Sequence, residues 1–560
     1  MVDKKRILFV NEFSQLSTGF STYGYYLLPR LFNTNKYEIA EHAAYINLFH
    51  HKIDSVPWKV YPNEPDPRNQ QQVELYKQNR SNQFGSWKFD EVCLEYCPDI
   101  VVTIRDPFFD DFIDKSVFRK NFKWIWMNTC DGEPQKYEWL DMAGKADILM
   151  TYSVWAKNLI ENSTGGRIKV ATVASPGTDL EIFRPNLRDE MRKKYGIEND
   201  VMIFGTVMRN QPRKLFPDLM KAFNKYLEIC IKNNREDLAN KSYLYLHTSN
   251  PDVGWNLTEE TKRHHLSHKI LFTYMCDACG LIKPLFYNGE NCFCLKCMKA
   301  AARFPNTANG VSREELAKIM SCFNCYIQYS ISEGWCMPIN DAKACGVPVM
   351  CVEYSAMTEQ AYNGGGIPLK VERMNQEPLN QTNQLRAWPD NDYLANEMFK
   401  FATLPKENVL KLEKEARDCV EKYYNWNNIA KIWENVFDNL DVPDQKNTWR
   451  SPINLVVPNL NIPKGLTNEQ FVSFCYNEIL KKPNDYYSSQ AQNIINILNV
   501  GYETVQDQNG APNRVPVSRD NIVNTMLTWI NQYNGLESFR YKKIVRPDLL
   551  IGPEINTVEI

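Results

Sequence analysis

No stretch of this 560-residue chain approaches the ~18 consecutive apolar residues that a membrane-crossing helix requires. The opening segment, MVDKKRILFVNEF, has an apolar run of only four residues before polar ones return; that is too short for an export leader and reads as a first β-strand. Neither sign of charge is in excess. The 65 Lys and Arg against 67 Asp and Glu leave a formal −2, which gives no global attraction to nucleic acid or to a membrane surface. Internal repeats and long low-complexity tracts are missing, which excludes solenoids and arrays. No Ser-His-Asp arrangement or other protein nucleophile is evident. Cysteine, by contrast, is plentiful. Sixteen of them in a chain without an export signal point to reduced thiols in the cytoplasm, where a cluster signals metal rather than disulfides.

The composition, 43% hydrophobic and 24% charged, is that of a globular protein, and the length supplies two or three domains with separate cores. Short β-branched and aromatic runs alternate with helical stretches, the pattern of an α/β chain with doubly wound parallel sheets. Strands are expected at Ile7–Phe13, Ile39–Tyr45, Ile100–Ile104, Trp124–Asn128, Ile148–Tyr152 and Val170–Ala174. After a passage rich in Pro, Gly and charge they resume at Met202–Val207, Tyr243–His247, Ile270–Met275, Tyr326–Ser330 and Val347–Val352. Two Rossmann-like domains are therefore expected over 1–185 and 200–424, with a ligand cleft at the carboxyl ends of their strands. A helix at 425–440 carries Trp426, Ile429, Trp433 and Phe437 at helical spacing; a linker at 441–465 and a helical module at 466–560 follow.

The segment Ser330–Glu359 is the most informative about chemistry. It reads as strand, turn, helix and strand, with Glu333 at the turn and Asp341 eight residues later. Pro338 suits the first turn of a helix. The backbone N–H groups around Met337 and Ile339, at the positive end of that helix, suit a phosphate, and Asp341 lies one turn further on, where a sugar hydroxyl would come within reach. Earlier, Gly205-Thr-Val-Met-Arg209-Asn-Gln-Pro-Arg213-Lys214 leaves a strand and enters a helix, so its cations can neutralise a diphosphate. Gly19 lies in the bend after the first strand, and Asp131 follows the Trp124–Asn128 strand into the expected cleft wall.

In these residues the chain resembles family 4 of the retaining glycosyltransferases, which have the GT-B fold. Their Glu-x7-Glu signature stands here as Glu333-Gly-Trp-Cys-Met-Pro-Ile-Asn-Asp341, with Asp in place of the second Glu. The likeness continues through Ala344-Cys-Gly-Val-Pro-Val349 and Tyr354-Ser-Ala-Met-Thr-Glu359. It implies transfer of a hexosyl or pentosyl group from a nucleotide sugar, without a catalytic metal. It also implies that Arg209 and Lys214 hold the departing diphosphate, that Glu333 contacts the transferred sugar and Asp341 the ribose, and that Gly19 and Asp131 serve the donor and acceptor sides. Arg213 is the less favoured cation, and the crossover role in the family falls to the 425–440 helix.

A second feature stands apart from that family. Cys276-x2-Cys279 and Cys294-x2-Cys297 form two knuckles with the spacing of a structural zinc ribbon, an insertion at 262–309, with Cys292 and His268 as weaker ligand candidates. Between Lys262 and Arg303 seven cations face two acids, a balance compatible with a polyanion such as nucleic acid or with a solvated brace. The acceptor implied by the resemblance is a glycan, lipid-linked sugar, small molecule or protein. The ribbon leaves two alternatives open, a hydroxymethylated DNA base as acceptor or a non-catalytic nucleic-acid-binding scaffold. Asp390-Asn-Asp392 and Cys322-x2-Cys325 read as a surface turn and as core.

Overall fold

A computed structural model of the protein describes residues 4–306, 309–378, 381–444, 448–449, 463, 465–480, 489–506, 512–520, 522–523 and 526. Two parallel sheets organise it. The first has the order β3-β2-β1-β4-β5-β6-β7, with β1 at Lys5–Glu12, β2 at Tyr37–Ala44, β3 at Lys59–Pro62, β4 at Ile100–Arg105, β5 at Lys123–Asn128, β6 at Ile148–Thr151 and β7 at Thr172–Val173. All of its ladders are parallel. The six expected strands are present; β3, four residues broken by Lys59 and Pro62, lacks the apolar run that marks the others. Ile7–Val10 and Ile100–Ile104 are buried in unbroken runs, as strands covered by helices on both faces must be.

The second sheet is built around β10-β9-β8-β14-β15-β16, with β8 at Met202–Val207, β9 at Ser242–His247, β10 at Ile270–Cys276, β14 at Cys325–Gln328, β15 at Val349–Val352 and β16 at Gly366–Leu369. Those pairings are parallel. The inserted ribbon extends its edge. Here β11 (Ile282–Phe286) and β13 (Ala302–Arg303) run antiparallel to β10, and β12 (Asn291–Cys292) pairs with β13. Phe272, Tyr274, Tyr287 and Phe304 form an aromatic base beneath it. A hairpin of β17 (Val371–Gln376) and β18 (Leu385–Pro389) follows β16.

The Trp426–Asn439 helix turns its apolar stripe onto the first sheet's helix Gly19–Asn33. Trp426 stacks on Tyr26 at 5.2 Å, and the Trp433 indole N–H donates to Tyr23 Oη at 2.9 Å. Asp390 is a helix cap rather than a bare turn, accepting from the N–H groups of Asp392 and Tyr393. Cys322 and Cys325 are core, as expected. Within the stretch read as a linker, Trp449 is buried against Phe118, 5.4 Å between rings, and most of the remainder lies outside the described residues. Of the C-terminal module, helices at Asn468–Phe474 and Ser489–Val500 pack around Phe471, Val472 and Ile494; an unforeseen hairpin pairs Tyr502–Gln506 with Pro512–Pro516. Past residue 526 the expected helices lie outside the described residues.

Candidate active site

Each sheet reverses its strand order at one place, between β1 and β4 in the first and between β8 and β14 in the second. Loops leaving the carboxyl ends of adjacent strands diverge there and open a crevice. The loops after β8 and β14 are pinned together by backbone: Leu215 N–H donates to Tyr329 O at 3.0 Å, and Ile331 N–H to Arg213 O at 3.1 Å. This pairing places Lys214 against Glu333.

Glu333 is the hub of the site. It is buried, and Lys214 Nζ contacts its Oε1, which also accepts from Ser330 Oγ at 2.8 Å and Gln328 Nε2 at 3.1 Å. Its Oε2 accepts from Arg213 Nη1 at 2.9 Å. A buried carboxylate persists when its lone pairs are filled by charge-assisted donors, and here two cations do so. Burial, and then the Arg213 guanidinium, push the Lys214 pKa down, with Cys336 and Asp131 acting the other way.

The helix after this turn runs Met337–Ala344 with Pro338 in its first turn. Its cap, Cys336, holds the left-handed conformation at φ 74°, which a side chain rarely adopts, so the backbone bends sharply at the helix mouth. Met337 faces the first domain, its Cε 3.9 Å from where a Cβ on Gly19 would stand. A Cβ on Gly334 would lie 2.7 Å from Thr129 O, so only glycine permits this approach of the two walls. Ile339 is buried behind the mouth, and Asp341 is buried too, hydrogen-bonded by Thr178 from the first domain. Burial pushes the Asp341 carboxyl up to about 6, with the Arg313 cation acting the other way.

Asp131 stands at the opposite wall. Its Oδ1 is 3.1 Å from Arg386 Nη1, and its Oδ2 accepts from Ser332 Oγ at 3.3 Å, one residue from Glu333. Arg386, buried on β18, also meets Glu377 at 3.1 Å. Around it the β17–β18 hairpin grips the first domain: Leu385 N–H donates to Glu133 O at 2.6 Å and Gln384 Nε2 to Gly132 O at 2.7 Å. Nothing in the sequence around Arg386 marked it, because Asp131, the partner that ties it to the site, comes from a different domain.

The expected cations separate. Lys214 is at the hub, whereas Arg209 makes a two-pronged pair with Asp252, at 3.1 and 3.0 Å, on a half-exposed rim. Arg213, the less favoured residue, contacts Glu333 directly.

The four ribbon cysteines converge. Their sulfur atoms all lie within 4.8 Å of one another, with Cys276–Cys297 at 3.7 Å and Cys279–Cys294 at 3.6 Å. A tetrahedral site with zinc–sulfur bonds of ~2.3 Å has sulfur–sulfur edges of ~3.8 Å, so the donor set fits that metal. Cys292 and His268 are not part of this group among the described residues.

No protein-family model matches the chain, and no curated protein matches it in sequence. Solved structures do match. Sucrose-phosphate synthase from Thermosynechococcus elongatus aligns over 78% of this chain and 98% of its own, with 15% identity and a TM-score of 0.55. A glycosyltransferase from Rickettsia africae aligns over 78% and 100%, with 16% identity and a TM-score of 0.52. Anabaena HepE, solved with UDP and glucose, aligns over 78% and 100% at 14% identity and a TM-score of 0.51. At these identities the likeness establishes the fold: two doubly wound parallel sheets in the GT-B arrangement, with a four-cysteine insertion and C-terminal helices.

Proposed function

We propose that the protein is a retaining glycosyltransferase that moves a hexosyl or pentosyl group from a nucleotide sugar to an acceptor hydroxyl. The observation that carries this reading is the Lys214–Glu333–Arg213 cluster at the mouth of the Met337–Ala344 helix, where the two sheets present their switch points. Lys214 and Arg213 balance the charge that develops on the departing diphosphate, with the helix N–H at Met337 behind them; the Ile339 N–H, expected to join it, is already donated to Cys336 O at 3.2 Å. Arg209 adds a further guanidinium when it leaves Asp252. Glu333 receives hydroxyls of the transferred sugar, Asp341 serves the ribose, Gly19, opposite Met337, serves the donor side, and Asp131 faces the acceptor. A phosphate oxygen of the donor accepts the acceptor's proton on the face from which the diphosphate leaves. In this reading Cys276, Cys279, Cys294 and Cys297 hold a structural zinc ion; four thiolates leave it no open position for catalysis. Glycan, lipid-linked, small-molecule or protein hydroxyls are the preferred acceptors. The same chemistry on hydroxymethylated DNA bases is supported only by the ribbon's lysines.

The test is release of nucleoside diphosphate from a panel of UDP-, GDP- and ADP-sugars, with and without candidate acceptors. Release from at least one donor is expected, and Glu333→Gln should slow it by about 2–4 kcal/mol in the barrier, roughly 30- to 1,000-fold. No release from any donor, or an unaffected Glu333→Gln variant, contradicts the proposal.

A further inference from the structure

The two cysteine knuckles leave the same end of the second sheet. The first, Cys276–Cys279, leaves the carboxyl end of β10; β11 then returns antiparallel, and β12 climbs again beside β13 to deliver the second, Cys294–Cys297, to that end. This is the end from which the loops bearing Lys214 and Glu333 also depart, because β10, β9, β8 and β14 are mutually parallel. The ribbon tip therefore stands on the cleft side of the molecule.

That tip is unusually apolar for a solvent-facing turn. Phe293, Leu295 and Met298 are 64%, 57% and 69% exposed within six residues. Large exposed side chains scattered singly are ordinary, but a cluster on one short turn marks an interaction surface. Met298 also keeps a bulky side chain at φ 57°, a conformation that glycine adopts freely and other residues pay for in strain. Lys296 and Lys299, both exposed, lie between and beside the three. Of the module's two acids, Asp277 sits in the first knuckle with its charge paired to Arg303 at 2.6 Å, and Glu290 precedes β12.

We infer that this tip docks on an anionic phospholipid bilayer, with Phe293, Leu295 and Met298 entering the interface and Lys296 and Lys299 meeting the headgroups. Apolar side chains flanked by lysines bind such a surface by combining buried area with attraction to negative lipid. Single-stranded nucleic acid fits less well, since it calls for a row of stacking aromatics along a cationic groove, and the tip offers one aromatic. Docked in this way, the cleft mouth is turned towards the bilayer. The inference is independent of the proposed chemistry.

The full-length, zinc-loaded chain is sedimented with vesicles of phosphatidylcholine alone and with vesicles containing about 30 mol% phosphatidylglycerol. Binding is expected to the anionic vesicles, to fall on adding salt, and to drop at least about tenfold in the combined Phe293→Ser, Leu295→Ser, Met298→Ser variant. The Lys296→Gln, Lys299→Gln variant should retain only weak, salt-insensitive binding. Zinc content unchanged at one ion per chain verifies that both variants fold. Absence of vesicle binding, or equal binding by the apolar variant, overturns the inference. So does capture of single-stranded DNA that survives loss of the three apolar residues and disappears with the two lysines.

Discussion

Glu41 illustrates how a single buried residue shapes this site from outside it. Its carboxylate lies under the loop after β1, accepting from Ser14 N–H at 3.0 Å, Ser14 Oγ at 2.9 Å and Trp58 Nε1 at 2.7 Å, and so fixes the start of the loop that carries Gly19. Burial pushes the carboxyl up to about 7, against the opposing pull of those donors. Because the folded value lies above the unfolded one, its contribution to stability is complete below about pH 4.5 and is lost as pH rises through about 7. Denaturant titrations of Glu41→Gln at pH 5 and pH 8 should therefore differ by about 3 kcal/mol less than those of the unaltered protein. An unchanged difference would remove Glu41 from the pH response. Lys214 is buried at the hub, so its removal leaves Arg213 as the one cation in contact with Glu333. Lys214→Ala therefore costs stability as well as function.

At the scale of elements, the four-cysteine ribbon is a small sheet that, with the proposed zinc ion, depends on that metal for its fold. Its strands β12 and β13 are two residues each and bury little of their own, whereas apparent binding energies of structural zinc sites are on the order of 10–16 kcal/mol. Chelation, or Cys294→Ser, should raise amide exchange across β11–β13 first and leave β8, β9 and β14 protected. Simultaneous loss of protection in both regions would show that the ribbon is part of the main core. This element was legible in the sequence because its four cysteines are close in the chain, in two pairs of equal spacing that a tetrahedral metal site favours. The strands were legible for a related reason, since each buried run is contiguous. The β17–β18 hairpin and β3 were not, because β17 is almost wholly exposed and β3 is four residues bounded by Lys59 and Pro62, so neither shows a contiguous buried run. Arg386 belongs to the same class: its meaning lies in Asp131, 255 residues distant. Arg209 and Arg213 show the limit most sharply. Both sit in one cationic loop, and only the three-dimensional placement of Asp252 and Glu333 distinguishes them.

For the whole molecule, the two sheets are joined by more than the polypeptide passage between them. The Trp426–Asn439 helix packs on the first domain, with Lys5 Nζ donating to Phe437 O at 2.6 Å. Glu359 accepts from Trp155 N–H at 2.7 Å, and the β17–β18 hairpin holds Gly132 and Glu133. These contacts set the two switch points facing each other, so that groups of both domains line the cleft between them. Lys214 and Arg213 are the proposed partners of the diphosphate beside Glu333, and calorimetric titration with UDP, GDP and ADP in turn measures this directly. At least one nucleotide should bind, and Lys214→Ala and Arg213→Ala should each weaken it by about 1.5–3 kcal/mol, the range for hydrogen bonds to charged groups, while Lys225→Ala, a surface cation paired with Asp392, leaves it unchanged. Binding of none of the three, or Lys214→Ala binding as tightly as the unaltered protein, would contradict it.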